Sequence, residues 1–335
     1  MKNYNHYRKG GILPPALERQ RPLVVPYNGI TRMRYEPCTG IIIIKNLSVI
    51  GCGKVGKTLA SLFYGGGVFN IDSIVNTTIE SGLEAVKFIG AGKASVNLTG
   101  LSQSGVIMIS VPDDEIYGCA LKLARCGSVK PGTVAFHCSG FRDSGSLEPL
   151  AACGCLTASV HPARSFSDPK AAARNFAATP CALEGEQSAL EFLKQALSAI
   201  GGDVFIISAQ KKPLYHSAAV FLNNYIVALM HASLSLLAKS GLTEEQSKNI
   251  AAALAPAAVD NVLRFGAGAS LTGPVARGDT ETVNKEIEAL FAQCGRQFSD
   301  LYKALGTMAL SLTADSGKLS DFKIEQLMAA FKTEI

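Results

Sequence analysis

Three glycines set the first chemical constraint. The run Asn46-Leu-Ser-Val-Ile-Gly51-Cys52-Gly53-Lys54-Val55-Gly56 places Gly-x-Gly-x-x-Gly directly after a short apolar segment. The first glycine permits a tight turn. The second lets a pyrophosphate approach the backbone, and the third lets the following helix pack on the strand. Val55, Leu59 and Leu62 then recur at helical spacing. Unpaired N–H groups at such a helix start favour anions, so residues 51–56 read as a cradle for a dinucleotide.

Further polar residues cluster where strands are expected to end. An acid about twenty residues beyond the third glycine would bind a ribose 2′-hydroxyl and select NAD. Asn76 and Thr77 stand there instead. Small polar groups suit a 2′-phosphate better, so NADP is expected and NAD remains possible. Asn76 and Thr77 would otherwise form a turn and helix cap. Val111, Pro112 and Asp113 are expected to wall the cofactor ribose, with Asp113 or Asp114 capping the next helix. In His137-Cys-Ser139-Gly140, Ser139 could bond a carboxamide or a substrate. His161, Arg164 and Ser165 share one loop and suit a small anionic substrate, because a guanidinium holds a carboxylate bidentately.

A polar stripe opens the next segment. At about 100° per residue, Lys212, His216, Ala219 and Asn223 fall within roughly 60° on a helix. Polar groups on an otherwise apolar helix are costly unless paired, so the stripe is a catalytic candidate. At about 1.5 Å per residue, Asn223 lies roughly 16 Å from Lys212 along the axis. His216, with Lys212 or Asn223 beside it, is the expected proton donor. Farther on, Asp279 is placed to cap a helix starting near Thr280. Arg277 could pair across an interface or reach the cofactor.

These residues need elements to position them. Strands are expected at 46–50, 71–75, 106–111, 133–137, 156–160, 180–184 and 203–207, with a weaker one near 94–97. Helices are expected near 54–64, 80–89, 114–125, 145–152 and 187–199. Such alternation gives an α/β, doubly wound parallel sheet with helices on both faces. After Lys211 only helical patterns follow, broken at Gly241, Gly266–Gly278 and Ser316-Gly317. The expected organisation is an extension over 1–45, a Rossmann domain over 46–208 and an all-α domain over 209–335.

The extension is rich in Pro, Gly, Arg and Tyr and is expected to be poorly ordered. Met33 is an alternative start. Net charge is +5, from 32 basic and 27 acidic residues. Seven basic and two acidic residues fall in the first forty, leaving 25 of each in the remainder. A basic nucleic-acid face is therefore not expected. Nine scattered cysteines lack zinc or redox spacing, so no metal site and a reducing, cytoplasmic setting are expected. Between Lys212 and Lys239 no charged residue occurs. That length could span a bilayer, but Asn223, Asn224, His231, Pro213 and Gly241 argue for a buried central helix of a soluble domain. A second subunit could help cover it, so a homodimer through the helical domain is expected.

Gly51-Cys-Gly-Lys-Val-Gly56, His137-Cys-Ser-Gly140, Ser159-Val-His-Pro-Ala-Arg-Ser-Phe166, Lys212-Pro-Leu-Tyr-His-Ser-Ala-Ala-Val220 and Leu271-Thr-Gly-Pro-Val-Ala-Arg-Gly-Asp279 come in that order. Together they resemble bacterial Rossmann-like proteins with a C-terminal domain of unknown function 2520. The resemblance covers about residues 46–310. That family's fold is similar to pyrroline-5-carboxylate reductase, prephenate dehydrogenase and the β-hydroxyacid dehydrogenases. It implies an NADP-linked oxidoreductase with a helical dimerisation domain, and ketopantoate-like 2-oxo acids are one candidate substrate class. Two departures stand out. Asn76-Thr77 replaces the Arg-Ser often found in relatives, and Lys212-x-x-x-His216 replaces the β-hydroxyacid Lys-x-x-x-Asn pattern. Hydride transfer from NADPH to a small carbonyl or imine is the expected activity. A non-enzymatic NADP-binding sensor would use the same glycine loop.

Overall fold

A computed structural model of the chain describes residues 24–27, 30–33, 45–99, 101, 104–314 and 319–333. Most of the expected extension, and the break at Ser316-Gly317, lie outside the described residues. Within the extension the structure departs from the expectation of poor order. β1 (Val24–Tyr27) and β2 (Ile30–Met33) pair antiparallel, with Tyr27 opposite Ile30. The intervening sequence is Asn-Gly, the dipeptide most suited to a two-residue hairpin connection.

All eight expected strands form. They are β3 (Lys45–Ile50), β4 (Phe69–Val75), β5 (Lys93–Ser95), β6 (Val106–Ile109), β7 (Val134–His137), β8 (Leu156–Pro162), β9 (Pro180–Gly185) and β10 (Asp203–Ile206). They build one sheet in the order β10-β9-β8-β7-β6-β3-β4-β5. β3 to β8 are mutually parallel. β9 corrects the all-parallel expectation: it pairs antiparallel with β8, and β10 follows β9. The sheet winds outward in both directions from β3, whose neighbours are β4 and β6. A ligand crevice opens at such a switch point, beyond the carboxyl ends of the strands.

The helices of this part are α1 (Lys54–Gly65), α2 (Ile79–Ile89), α3 (Ile116–Arg125), α4 (Glu148–Ala151), α5 (Pro169–Arg174), α6 (Gln187–Ala199) and α7 (Lys212–Val220). A 3-10 turn, Ser144–Leu147, leads into α4. Strand alternation sorts the core into two layers. Leu47 and Val49 of β3, with Val106 and Met108 of β6, pack with Leu59 and Phe63 of α1 and Leu193 and Leu197 of α6. Ile50, Ile107 and Ile109, one residue out of phase, pack with Ile116, Ala120 and Leu123 of α3. That period of two fixes the register, because a one-residue slip would exchange the layers.

The described chain divides into two compact units between Ala218 and Ala219, somewhat beyond the expected boundary near residue 209. Lys212, Tyr215 and His216 therefore belong with the sheet. The second unit begins with a π turn, Phe221–Tyr225, followed by α8 (Ile226–Lys239), α9 (Glu244–Phe265), α10 (Ala267–Ser270), α11 (Pro274–Arg277), α12 (Thr280–Cys294), α13 (Arg296–Ala314) and α14 (Asp321–Lys332). α9 starts with a capping box formed by Thr243 and Gln246. Asp279 caps α12 as expected, accepting from the Thr282 N–H at 3.1 Å. Arg277 is exposed, and its carbonyl accepts from Lys323.

The small core of this unit comes from α11 to α14, through Val275, Val283, Ile287, Leu310, Leu327 and Phe331. α8 contributes no buried residue, which corrects the expectation of a buried central helix. Its apolar surface is real, and no described residue of the chain covers it to the point of burial. The stretch Ala209–Lys239 is, by length and composition alone, long and apolar enough to cross a membrane.

One buried carboxylate ties the site's floor to the sheet. Glu184 of β9 accepts from the Ser144 N–H and the Ser144 hydroxyl, each at 2.7 Å. Glu184→Ala removes both charge-assisted bonds and leaves the half-buried Ser144 N–H without its partner. A loss of about 3 kcal/mol in urea unfolding is expected, and a change within about 0.5 kcal/mol would show that the bonds carry no net stability.

Candidate active site at the strand ends

The glycine loop has the geometry its sequence implies. Gly51 sits at φ +73°, and a Cβ there would meet Val111 Cγ1 at 2.5 Å. A Cβ on Gly56 would lie 2.5 Å from Ser110 Oγ, which donates to the Gly51 carbonyl at 2.8 Å. The middle glycine differs: a Cβ on Gly53 would find only the Gly51 oxygen, at 4.0 Å. Gly53 is also the N-cap of α1, and no side chain caps that helix. Bare N–H groups thus face open space where an anion is favoured. Cys52 is buried, and its thiol is pushed up to about 12 by desolvation, so it packs as a neutral group.

Asn76 is held by the loop it was expected to serve. Its Oδ1 accepts from the Cys52 N–H at 2.7 Å, and its Nδ2 donates to Ser81 Oγ at 3.2 Å. The carboxamide therefore pins the glycine turn to the start of α2. Thr77 is exposed. The cap of α2 is its neighbour Thr78, which accepts from the Ser81 N–H.

Ser139 is the junction of the second loop. Its hydroxyl donates to Asp113 Oδ2 at 2.6 Å and accepts from the N–H groups of Phe141 and Arg142 at 3.1 and 2.8 Å. A hydroxyl offers one donor and two acceptor positions. All are filled, which revises the expectation that Ser139 contacts a ligand. Asp113 likewise does not cap α3, whose N-cap is Glu115 without a side-chain bond. Beneath Ser139, His137 Nε2 donates to the Asp143 carbonyl at 2.9 Å, and Nδ1 accepts from the Ser139 N–H at 3.2 Å. A carbonyl can only accept, so His137 is neutral with its proton on Nε2. Burial pulls its pKa down to about 4.

Lys212 reaches into the same floor. Its ammonium is 0% exposed. It donates to Ser159 Oγ at 2.6 Å and to the Ser139 carbonyl at 3.1 Å. A cation at the first residue of a helix opposes the helix dipole, so its place reflects these bonds. Desolvation lowers its pKa, while Glu184, Asp143 and Asp113 oppose that shift. An ammonium enclosed beneath two strand ends is an anchor, and this revises the expectation of Lys212 as proton donor.

The groups left facing the loop are two imidazoles. A Cβ placed on Gly140 would lie 2.8 Å from both His161 Nε2 and His216 Nδ1. The rings stand 6.2 Å apart, near perpendicular at 75°. His161 Nδ1 is hydrogen-bonded to the Tyr215 hydroxyl at 2.9 Å. His216 Nδ1 is buried without a hydrogen-bond partner, and the Phe141 ring stands edge-on to His216 at 6.1 Å. Burial, then Lys212 and His216, lowers the pKa of His161 to about 4, with Asp113 opposing. Unpaired buried polar atoms are rare in folded proteins. Two imidazole nitrogens meeting over one Gly could grip a polar atom of a ligand.

Two expected contacts do not join them. Arg164 Nη1 donates to the Asn175 carbonyl and, at 3.1 Å, to Thr179 Oγ1. That fork holds the loop after β8 against the segment before β9, and Ser165 beside it is exposed. Asn223 lies in the π turn that opens the second unit. A π turn adds a residue to the helical repeat, so the 100° phasing that aligned Asn223 with Lys212 and His216 ends at Val220. Sequence reasoning missed Tyr215, Ser159 and Glu184. Tyr215 had a signal, lying three residues after Lys212 on the same helical face.

A Rossmann-like domain matches residues 42–162, and a domain of unknown function, DUF2520, matches residues 179–309. No curated protein sequence matches. A crystal structure of a Thermotoga maritima protein is similar at 28% identity and TM-score 0.64, over 81% of this chain and 99% of that one. A Bacteroides fragilis protein, named provisionally as an NADP oxidoreductase, aligns at 19% identity and TM-score 0.66 over 81% and 99%. The imine reductase from Myxococcus stipitatus, solved with NADP+, aligns at 17% identity and TM-score 0.57 over 86% and 100%. At such identities the last two likenesses speak to the fold.

The buried neutral histidines make stability depend on pH. A pKa lowered in the folded state means that the unfolded chain binds the proton more tightly. Stability is therefore full above about pH 6.5 and lost as pH falls toward 4. For His137, about 3 kcal/mol is expected across that window. Urea midpoints measured between pH 7 and 4 should fall, and His137→Asn should flatten the slope. An equal slope in the variant would remove His137 from the titration.

Proposed function

From a chain in which a Rossmann-like domain leads into a DUF2520 domain, we infer an NADP-dependent oxidoreductase. It reduces a small carbonyl or imine, and 2-oxo acids of the ketopantoate type are one candidate class. The carrying observation is the uncapped, open Gly53 turn at the sheet's switch point, on the same edge as the paired nitrogens of His161 and His216. The names of the similar structures, an NADP oxidoreductase and an imine reductase with NADP+, support the same reading.

The residues fit the cofactor. Gly51 to Gly56, with Lys54 and Val55 in the first turn of α1, would receive the pyrophosphate. Asn76 and Thr77 would lie toward the adenosine ribose, and Val111, Pro112 and Asp113 would wall the next stretch. When bound, NADPH supplies a hydride to the electrophilic carbon. The chain's own task is to supply a proton, so that C=O becomes an alcohol or C=N an amine. His216, with its unpartnered Nδ1, takes that role. His161 shares the substrate oxygen or nitrogen. Ser139 and Lys212 hold the loop that carries Gly140. General-acid help of this kind is worth about 10² to 10⁴ in rate.

A second copy of the chain completes the reading. α8 and α9 form an apolar groove of about 630 Å³ that includes Ile226, Met230, Leu234, Ala255, Val259 and Leu263. Lys248 and Asp260 stand at its rim. A polar-rimmed apolar patch suits a protein partner better than lipid, and charged groups flanking it would be stranded in a bilayer. Two copies related by a two-fold axis would cover each other's groove. The free cysteines among the described residues support a reducing, cytoplasmic setting for such a homodimer.

NADPH fluorescence titration followed by a screen of 2-oxo acids and cyclic imines tests the activity. Binding with turnover on one class is expected, and tight binding without turnover across a broad screen favours the sensor. Asn76→Asp keeps the acceptor for Cys52 N–H and adds charge near the 2′-position. Preference should move toward NADH by about tenfold or more. A wild type that binds NADH and NADPH equally contradicts the NADP assignment. Light scattering should show a dimer, and Leu263→Glu, at a residue 81% exposed, should give monomers. A wild-type monomer defeats the dimer.

A further inference from the structure

Tyr215 has no part in the activity described so far, yet it holds one of the two imidazoles that face the loop. We propose that Tyr215 fixes His161 as a neutral hydrogen-bond donor aimed over Gly140, so that His161 polarises the substrate's C=O or C=N without giving up its proton. The proposal rests on the reading of this edge as a reductase site.

The direction of the Tyr215–His161 bond decides the matter. A phenol is a stronger donor than acceptor, so the Tyr215 hydroxyl donates to His161 Nδ1 across 2.9 Å. The imidazole proton then sits on Nε2, the nitrogen that would lie 2.8 Å from a Gly140 Cβ. There it meets His216 Nδ1, which is buried and without a partner. With His216 Nδ1 presenting the proton it supplies in the reaction, two N–H groups can hold one substrate oxygen or nitrogen from two sides.

Burial does most to keep His161 neutral, and the surrounding charges add to it. Lys212 opposes a second positive charge, His216 does so more weakly, and Asp113 acts in the other direction. A neutral imidazole that donates from a fixed tautomer is an electrophile; it stabilises charge developing on the substrate without titrating near neutrality. The ring contacts are packed to hold this geometry. Tyr215 stands edge-on to His161 at 5.5 Å and to Phe205 at 6.1 Å. Phenylalanine at 215 preserves both ring contacts and removes only the hydroxyl. Tyr215 is thus a positioning residue that acts through His161.

The experiment is a pH titration of the histidine side chains by long-range proton–nitrogen NMR on the full chain, with His161 assigned by its absence in His161→Gln. In wild type the Nε2-protonated neutral form is expected down to about pH 5. In Tyr215→Phe the neutral form loses its donor, so His161 should protonate at higher pH by roughly half a unit or more, and the second tautomer should appear. A structural role alone would leave the tautomer unchanged. Wild-type protein with the proton on Nδ1 overturns the proposal even if the variant fails to fold. So does a Tyr215→Phe protein whose His161 protonates at equal or lower pH, because the bond then runs the other way. NADPH affinity of Tyr215→Phe, measured alongside, should stay within about twofold of wild type. Loss of NADPH binding in wild type as well would sink the reductase reading separately from the tautomer result.

Discussion

The site depends on one buried ammonium. Lys212 sits at the start of α7, where helix electrostatics disfavour it, and it carries no exposed surface. A cation so placed is stable only if its N–H groups are satisfied. The Ser139 carbonyl and the Ser159 hydroxyl do this, and each belongs to a different strand end. The consequence is geometric. Once Lys212 is docked, Tyr215 and His216, three and four residues on, share its helical face and come against the same edge. His161, two residues beyond Ser159, meets them there.

A second constraint runs through Ser139. Its hydroxyl gathers the loop after β7 and links it to Asp113 after β6. Its backbone N–H fixes the tautomer of His137. The polar groups here are bonded in series, so the loop has few alternatives. Gly140 follows directly and must be small, because the nitrogens of both histidines crowd the place of its Cβ. The result is a rigid rim with a bare imidazole nitrogen, which is how a binding site differs from an ordinary strand-end turn.

Much of this fold is legible in the residues. Most strands of the sheet carry a short apolar run, β5 (Lys-Ala-Ser) being an exception, and the glycine turn has a strand before it and a helix after it. The direction of β9 is not legible, since a strand buried on both faces has the same apolar signature whichever way it runs. The exposed α8 is legible only in part: its lack of charge shows that cover is needed, but not that the described residues leave it exposed. At the site, the glycine spacing of Gly51, Gly53 and Gly56 is legible, and so are His161 as a loop residue and His216 as a residue of a polar stripe, but their meeting over Gly140 is not. Arg164 misled because a guanidinium's type shows what it can bind and not which carbonyls turn toward it; here Asn175 does. Asn223 misled because the π turn leaves no mark in the sequence. Tyr215 was passed over because a tyrosine on an apolar helix reads as packing until its hydroxyl is seen on His161.

The most direct measurement is a crystal structure of the protein with NADPH. The expected result has pyrophosphate oxygens on the N–H groups at the start of α1. The nicotinamide ring would face Gly140, with space for one small molecule between its reactive carbon and the nitrogens of His161 and His216. A dinucleotide bound away from Gly53, or a nicotinamide ring turned from the two histidines, would contradict it.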